Sequence, residues 1–166
     1  MTFKKKLVTT VILGLLLVLL YRIIFQFSAQ NGETSSILSK GITKGIVTFI
    51  RHLSGGHMSE QNAQGLSSSG ELILRKAAHF TEYAIMGILT MGILNCYMQK
   101  RKAYLFAVIW VLLSAVLDEW HQYDIPGRCA SVYDVMIDTL GGMAGAAFCI
   151  FFIWMIEQKK IRQNPG

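Results

Sequence analysis

The sequence predicts an all-α, polytopic membrane protein with four transmembrane helices plus one outer-face amphipathic helix, in a single domain over residues 1–166. Three observations carry that expectation. Of 166 residues, 52% are hydrophobic and only 16% charged, where a soluble domain carries about 25% charged. The apolar residues gather into four runs, about 7–27, 77–99, 103–122 and 132–156, which is what helices crossing a bilayer require. The bases sit at the ends of those runs. Two prolines in the whole chain, with this much apolar content, exclude a disordered or collagen-like chain.

The first run, Leu7 to Phe27, holds a single charge, Arg22, and as a helix is long enough for a hydrocarbon core of about 30 Å. A basic start and the small pair Ser28-Ala29 suggest a signal peptide, but the run exceeds the ~7–15 apolar residues of a signal core, so a retained helix is expected. Arg22 lies toward the far end of that helix and is a candidate partner for acidic groups there. Lys4, Lys5 and Lys6, then Lys100, Arg101 and Lys102, then Lys159, Lys160 and Arg162 mark one side of the membrane. Under the positive-inside rule both termini are cytoplasmic and the other two loops face outside a bacterial cytoplasmic membrane. The net charge of +6 therefore reads as topology, and no nucleic-acid-binding motif accompanies it. Cys96, Cys129 and Cys149 show no metal-site spacing and are expected to form no disulfide.

Between the first two runs, Leu38, Ile42, Ile46, Phe49, Ile50 and Leu53 recur at helical spacing with Lys40, Lys44 and Arg51 between them. An interfacial helix over about 35–54 follows; it either lies on the outer leaflet or packs over the bundle. Ser59 to Gly70, rich in Ser, Gln and Gly, reads as a linker, with Ser68 and Glu71 at capping-box spacing before the second run. Ile125-Pro126-Gly127-Arg128 has Pro and Gly where a type II turn needs them. Ser131 and Asp134 again have capping-box spacing, at the start of the fourth run.

The candidate site follows from arithmetic. The uncharged stretches Tyr83–Gln99, Ala103–Leu117 and Thr139–Ile156 hold 17, 15 and 18 residues, short of the ~20 a span needs. The shortfall falls on the outer side and draws Glu82, Asp118, Glu119 and Asp138 to the headgroup edge. His79, Glu82, Asp118, Glu119, His121, Gln122, Arg128, Asp134 and Asp138 then arrive from three helices at one depth. Charges left in hydrocarbon are expensive, so these groups face one another or water. Arg75, His79 and Glu82 share a helical face, as do Asp118, His121 and Gln122. Gly141 and Gly145 continue the stripe of Asp134 and Asp138 and allow close helix approach, within one chain or between two; the oligomeric state stays open.

Carboxylates beside imidazoles suit proton transfer near neutral pH, which makes His79, Glu82, Asp118, Glu119 and His121 the candidate catalytic groups. Arg75, Lys76, Tyr83, Gln122, Arg128, Asp134 and Asp138 are the candidate substrate-binding groups, with Arg128 suited to a phosphate. His79-x-x-Glu82 and Glu119-x-His121 offer N and O ligands, but neither is a diagnostic zinc motif, so no metal or other cofactor is assigned. The same pocket also fits a binding module that makes and breaks no bond. A transporter is disfavoured because no charge lies mid-span in the last three runs.

Arg75-Lys76-Ala77-Ala78-His79-Phe80-Thr81-Glu82-Tyr83, then Asp118-Glu119-Trp120-His121-Gln122, Pro126-Gly127-Arg128 and Asp134 through Gly141 together resemble the VanZ-like family, as does Phe27-Ser28-Ala29-Gln30. The resemblance covers about residues 20–150; Asp138 departs from it, standing where the family often has Asn. It implies a small bacterial envelope membrane protein related to one associated with resistance to the glycopeptide teicoplanin. The partners expected are a membrane lipid or lipid-linked cell-wall precursor, and a glycopeptide antibiotic.

Overall fold

The computed structural model describes residues 2–30, 32–53, 55, 59–128 and 130–163, apart from the side chains of residues 32–36 and 38. Leu38 and Cys129 of the sequence reading therefore lie outside the described side chains. Five helices account for the described elements: α1 (Phe3–Ser28), α2 (Gly32–Leu53), α3 (Glu60–Leu94), α4 (Lys100–Tyr123) and α5 (Val132–Gln163). Four of them, α1, α3, α4 and α5, are long and apolar enough to cross a membrane. The broad outward display of Leu7, Val11, Leu15 and Val18 on α1 and of Phe148, Phe151 and Phe152 on α5 suits a lipid solvent.

The basic ends meet. Thr10 and Tyr97 share a hydrogen bond of 2.8 Å between their hydroxyls, Lys6 lies 6.0 Å from the Tyr97 ring, and Lys100 pairs with Glu157 at 2.5 Å. The start of α1, the α3–α4 turn and the end of α5 thus form one pole. At the opposite pole the end of α1, the middle of α3, the end of α4 and the start of α5 converge. Two apolar clusters fill the space between. Leu20, Ile24, Tyr83, Met86, Leu89, Val111 and Ala115 join α1, α3 and α4. Met91, Ala103, Ala107 and Ala146 join α3, α4 and α5 nearer the basic pole.

The α3–α5 contact is closer than side chains permit. A Cβ on Gly145 would lie 1.9 Å from the Ala84 carbonyl oxygen, one on Gly141 2.3 Å from that of Phe80, and one on Gly87 2.1 Å from that of Gly142. The Gly141 and Gly145 stripe therefore packs helices within one chain, backbone against backbone.

Three local expectations change. The segment Ser59 to Gly70 is not a linker: α3 begins at Glu60, with the Ser59 hydroxyl accepting from the Asn62 amide at 3.3 Å. The Ser68 hydroxyl bonds the Gly65 carbonyl inside that helix and caps nothing. The physical reason is α2, which lies along this stretch with Ser39, Thr43 and Val47 buried and Thr43 Cγ2 3.3 Å from where a Gly70 Cβ would stand; tertiary packing overrides weak helix propensity. Consequently α2 packs over the bundle through its small polar stripe, the second of the two readings, and leaves Ile42, Ile46, Phe49 and Leu53 exposed. At the other end α3 stops at Leu94, and Asn95 to Met98 turn the chain into α4.

The turn after α4 is as expected. Gly127 has φ 76° and the Arg128 amide donates to the Ile125 carbonyl at 3.1 Å, the geometry that excludes a side chain at this position of a type II turn.

Candidate functional site

The face of α3 carrying Arg75, His79 and Glu82 lies against two adjoining spaces. One is an apolar groove of about 290 Å³ walled by Phe27, Ile42, Leu74 and Ala78, with Arg75, His79, Glu82 and Arg128 at its polar side. The other is a polar cavity of about 160 Å³ lined by Arg75, Lys76, His79, Gln122, Arg128, Asp134 and Asp138. Arg75, His79 and Arg128 belong to both walls. Helical spacing on α3 makes this possible, since positions four and seven apart fall on one side.

Arg128 is held by three donated bonds: Nε to the Gln30 carbonyl at 3.3 Å, Nη1 to Gln122 Oε1 at 3.2 Å and Nη2 to the Phe27 carbonyl at 2.9 Å. It therefore ties the end of α1 to the α4–α5 loop. Burial lowers its pKa from the usual arginine value, Arg75 pushes the same way, and Asp118 and Glu119 oppose both; a guanidinium stays charged throughout. Gln122 completes the relay, donating from Nε2 to Asp118 Oδ2 at 3.0 Å and to Ser28 Oγ at 3.3 Å. Asp118 is thus oriented by a chain running Arg128, Gln122, Asp118. Ser28 and the carbonyls of Phe27 and Gln30 are further site components, and the sequence signal for them is the Phe27-Ser28-Ala29-Gln30 segment.

Asp134 does not complete a capping box. It takes a bond from Lys76 at 2.5 Å, and the Ser131 amide donates instead to Glu119 Oε2 at 2.7 Å. Glu119, buried at the end of α4, is the carboxylate that satisfies the start of α5. Lys76 and Asp134 together bind the middle of α3 to α5.

Asp138 is 0% exposed, and its two oxygens have no hydrogen-bond partner among the described residues. His79 Nδ1 is likewise unpartnered and stands 3.8 Å from Asp138 Oδ1. With Asp118 these two bring ligand atoms from α3, α4 and α5 within 4.8 Å of one another.

Other predicted residues lie elsewhere. His121 stacks on Phe25, with ring centroids 4.6 Å apart, and lines a separate recess between α1 and α4 with Asp118, Tyr21 and Trp110. Tyr83 is part of the apolar core, its hydroxyl 3.5 Å from the Ser114 carbonyl, beside the hydrogen bond between Tyr21 and Ser114. Arg22 is exposed and has no ion-pair partner among the described residues, so it does not reach the acidic groups. Cys96 and Cys149 are free thiols.

A four-span helical membrane protein with a histidine and carboxylate cluster at one pole is the class these features define. A family model described as VanZ/LLP1 matches residues 13–154, and the chain belongs to that family. Comparison with curated proteins and with solved structures gives no match.

Proposed function

We propose that the chain engages the anionic headgroup of a membrane lipid or lipid-linked cell-wall precursor at the outer face of the bacterial cytoplasmic membrane. The observation that carries this reading is the shared wall. An apolar groove and a polar cavity meet at Arg75, His79 and Arg128, the juxtaposition that a molecule with an apolar tail and a charged head requires. Arg75 has no ion-pair partner among the described residues, so its guanidinium is available to a phosphate or carboxylate. The tail would lie along Phe27, Ile42 and Leu74, where α1, α2 and α3 leave the groove.

The basic pole supports the orientation, because the three clusters that meet there are what the cytoplasmic side favours. In a cysteine-free background, Glu60→Cys is expected to react with a membrane-impermeant thiol reagent on intact cells and Lys159→Cys only after permeabilisation. The reverse pattern would place the site inside. Glu82 lines the polar side of the groove, which supports reading it as a general base toward the same headgroup. A glycopeptide antibiotic meets lipid-linked precursors in the outer leaflet, so teicoplanin susceptibility is a cellular readout of this site.

The test is comparative mass spectrometry of membrane lipids and lipid-linked precursors from cells carrying wild type, Glu82→Gln or no protein, at matched membrane levels. A species that changes with wild type alone identifies both reaction and substrate. Equal pools in all three strains, with a lipid that copurifies with wild type and is lost in Arg75→Ala, identify a binding protein. Equal pools and no copurifying lipid overturn the proposal.

A further inference from the structure

We infer that His79, Asp118 and Asp138 form a binding site for one divalent transition-metal ion. The inference goes beyond the headgroup reading: the two share the wall at His79 and Asp138, but this one is argued from unpartnered buried ligand atoms, so either can fail alone.

The starting point is Asp138. Its side chain is wholly buried and neither oxygen is hydrogen-bonded among the described residues, although an isolated carboxylate in such a position costs several kcal/mol unless it is paired. The neighbouring cations do not pair with it. Lys76 is on Asp134, and Arg128 is spent on Phe27, Gln30 and Gln122. Arg75 lines the same cavity but makes no ion pair with it. A proton on Asp138 would neutralise it, yet the nearest basic atom, His79 Nδ1, is 3.8 Å away, too far for a hydrogen bond. His79 Nδ1 is itself buried and unpartnered. One cation between these atoms satisfies Asp138 and His79 together.

Asp118 supplies the third ligand from a different helix, and the three donor atoms already lie within 4.8 Å of one another. Ligands at about 2.1 Å from a tetrahedral ion are about 3.4 Å apart, so side-chain rotations of about 1 Å close the set. One imidazole nitrogen and two carboxylate oxygens suit zinc, manganese or iron better than magnesium. Outer contacts are in place too. Gln122 holds Asp118 Oδ2 and is itself held by Arg128, the kind of second layer that fixes a metal ligand's orientation. Backbone contact between Gly141 and Phe80, three residues beyond Asp138 and one beyond His79, sets the spacing between α3 and α5 at this level. The polar cavity adjoins Asp138 and His79, leaving a side from which water can reach the ion.

The experiment uses full-length protein purified in detergent, stripped with chelator and dialysed against zinc or manganese alone, with bound metal measured by mass spectrometry. Wild type is expected to take up about one ion per chain. Asp138→Asn and His79→Gln should each weaken uptake by at least about tenfold. Glu157→Gln, at the basic pole, should retain it. Cobalt provides a second readout: its visible absorption bands should appear with wild type and change on His79→Gln. Failure of wild type to bind stoichiometrically overturns the proposal, as does undiminished uptake in both His79→Gln and Asp138→Asn chains that elute as the wild type does. If Arg75→Ala loses lipid while keeping the ion, the two sites are separate.

Discussion

Helix α3 makes two seams of opposite construction. Against α5 it uses glycine, with Gly87, Gly141 and Gly145 each set where a Cβ would fall within 2.3 Å of a carbonyl oxygen across the seam. Against α2 it uses the small polar stripe of Ser39 and Thr43 with Val47, and its nearest glycine, Gly70, has 3.3 Å to a flexible methyl. The first seam admits one arrangement; the second tolerates adjustment. His79 and Asp138, 3.8 Å apart, sit beside the first. The wall of the apolar groove, including Ser39 and Ile42, sits on the second. Precision and accommodation are divided between two sides of one helix.

The strongest way to break this contrast is Gly145→Ala. Even a methyl collides with main chain there, and main chain cannot rotate away, so a loss of about 3 kcal/mol is expected, seen as a lowered thermal midpoint or failure to elute as a monodisperse species. Second in size is Glu119→Leu, which leaves the Ser131 amide without its carboxylate. A loss of about 1–2 kcal/mol is expected, with faster hydrogen exchange confined to the first turn of α5; Glu119→Gln should recover part of it. Arg128→Lys comes next. A single ammonium cannot reproduce three divergent bonds, and a loss of about 1 kcal/mol should appear together with faster exchange at the end of α1. The smallest effect belongs to Gly70→Ala, expected to fall within about 0.5 kcal/mol because Thr43 can yield. A Gly70→Ala loss as large as that of Gly145→Ala would show that both seams are rigid and would dissolve the comparison.

Most of the site was legible because it follows helical spacing. Arg75, His79 and Glu82 fall on one face of α3, and Asp118 meets Gln122 four residues on. The Ile125 to Arg128 turn was readable because Pro and Gly restrict φ directly. What could not be read was the choice between equivalent partners in space. Glu119 and Asp134 both suit the start of α5, and only the path of the turn brings Glu119 to the Ser131 amide. His121 shares a helical face with Asp118, yet Phe25 on α1 offers a ring to stack on. Likewise His79, Asp118 and Asp138 come from three helices, one residue each, so no spacing along the chain reveals their meeting. The N-terminal half of α3 was hidden for the reverse reason: its Ser and Gly residues have weak helix preference, and the partner that packs on them lies on α2.

The glycine seam also has a meaning in hydrogen bonding. A carbonyl oxygen 1.9 Å from the Cβ direction of Gly145 faces one of that glycine's Cα hydrogens, with the Cα itself at most about 3.4 Å away, the range of Cα–H···O=C contacts. Repeated at Gly87, the seam becomes a short ladder of weak hydrogen bonds between two helices whose amides are already used within each helix. In hydrocarbon no water competes for those carbonyls. The glycines are then donors as well as gaps, and their Hα resonances should lie downfield of those of Gly14, which has nothing within 4 Å on that side.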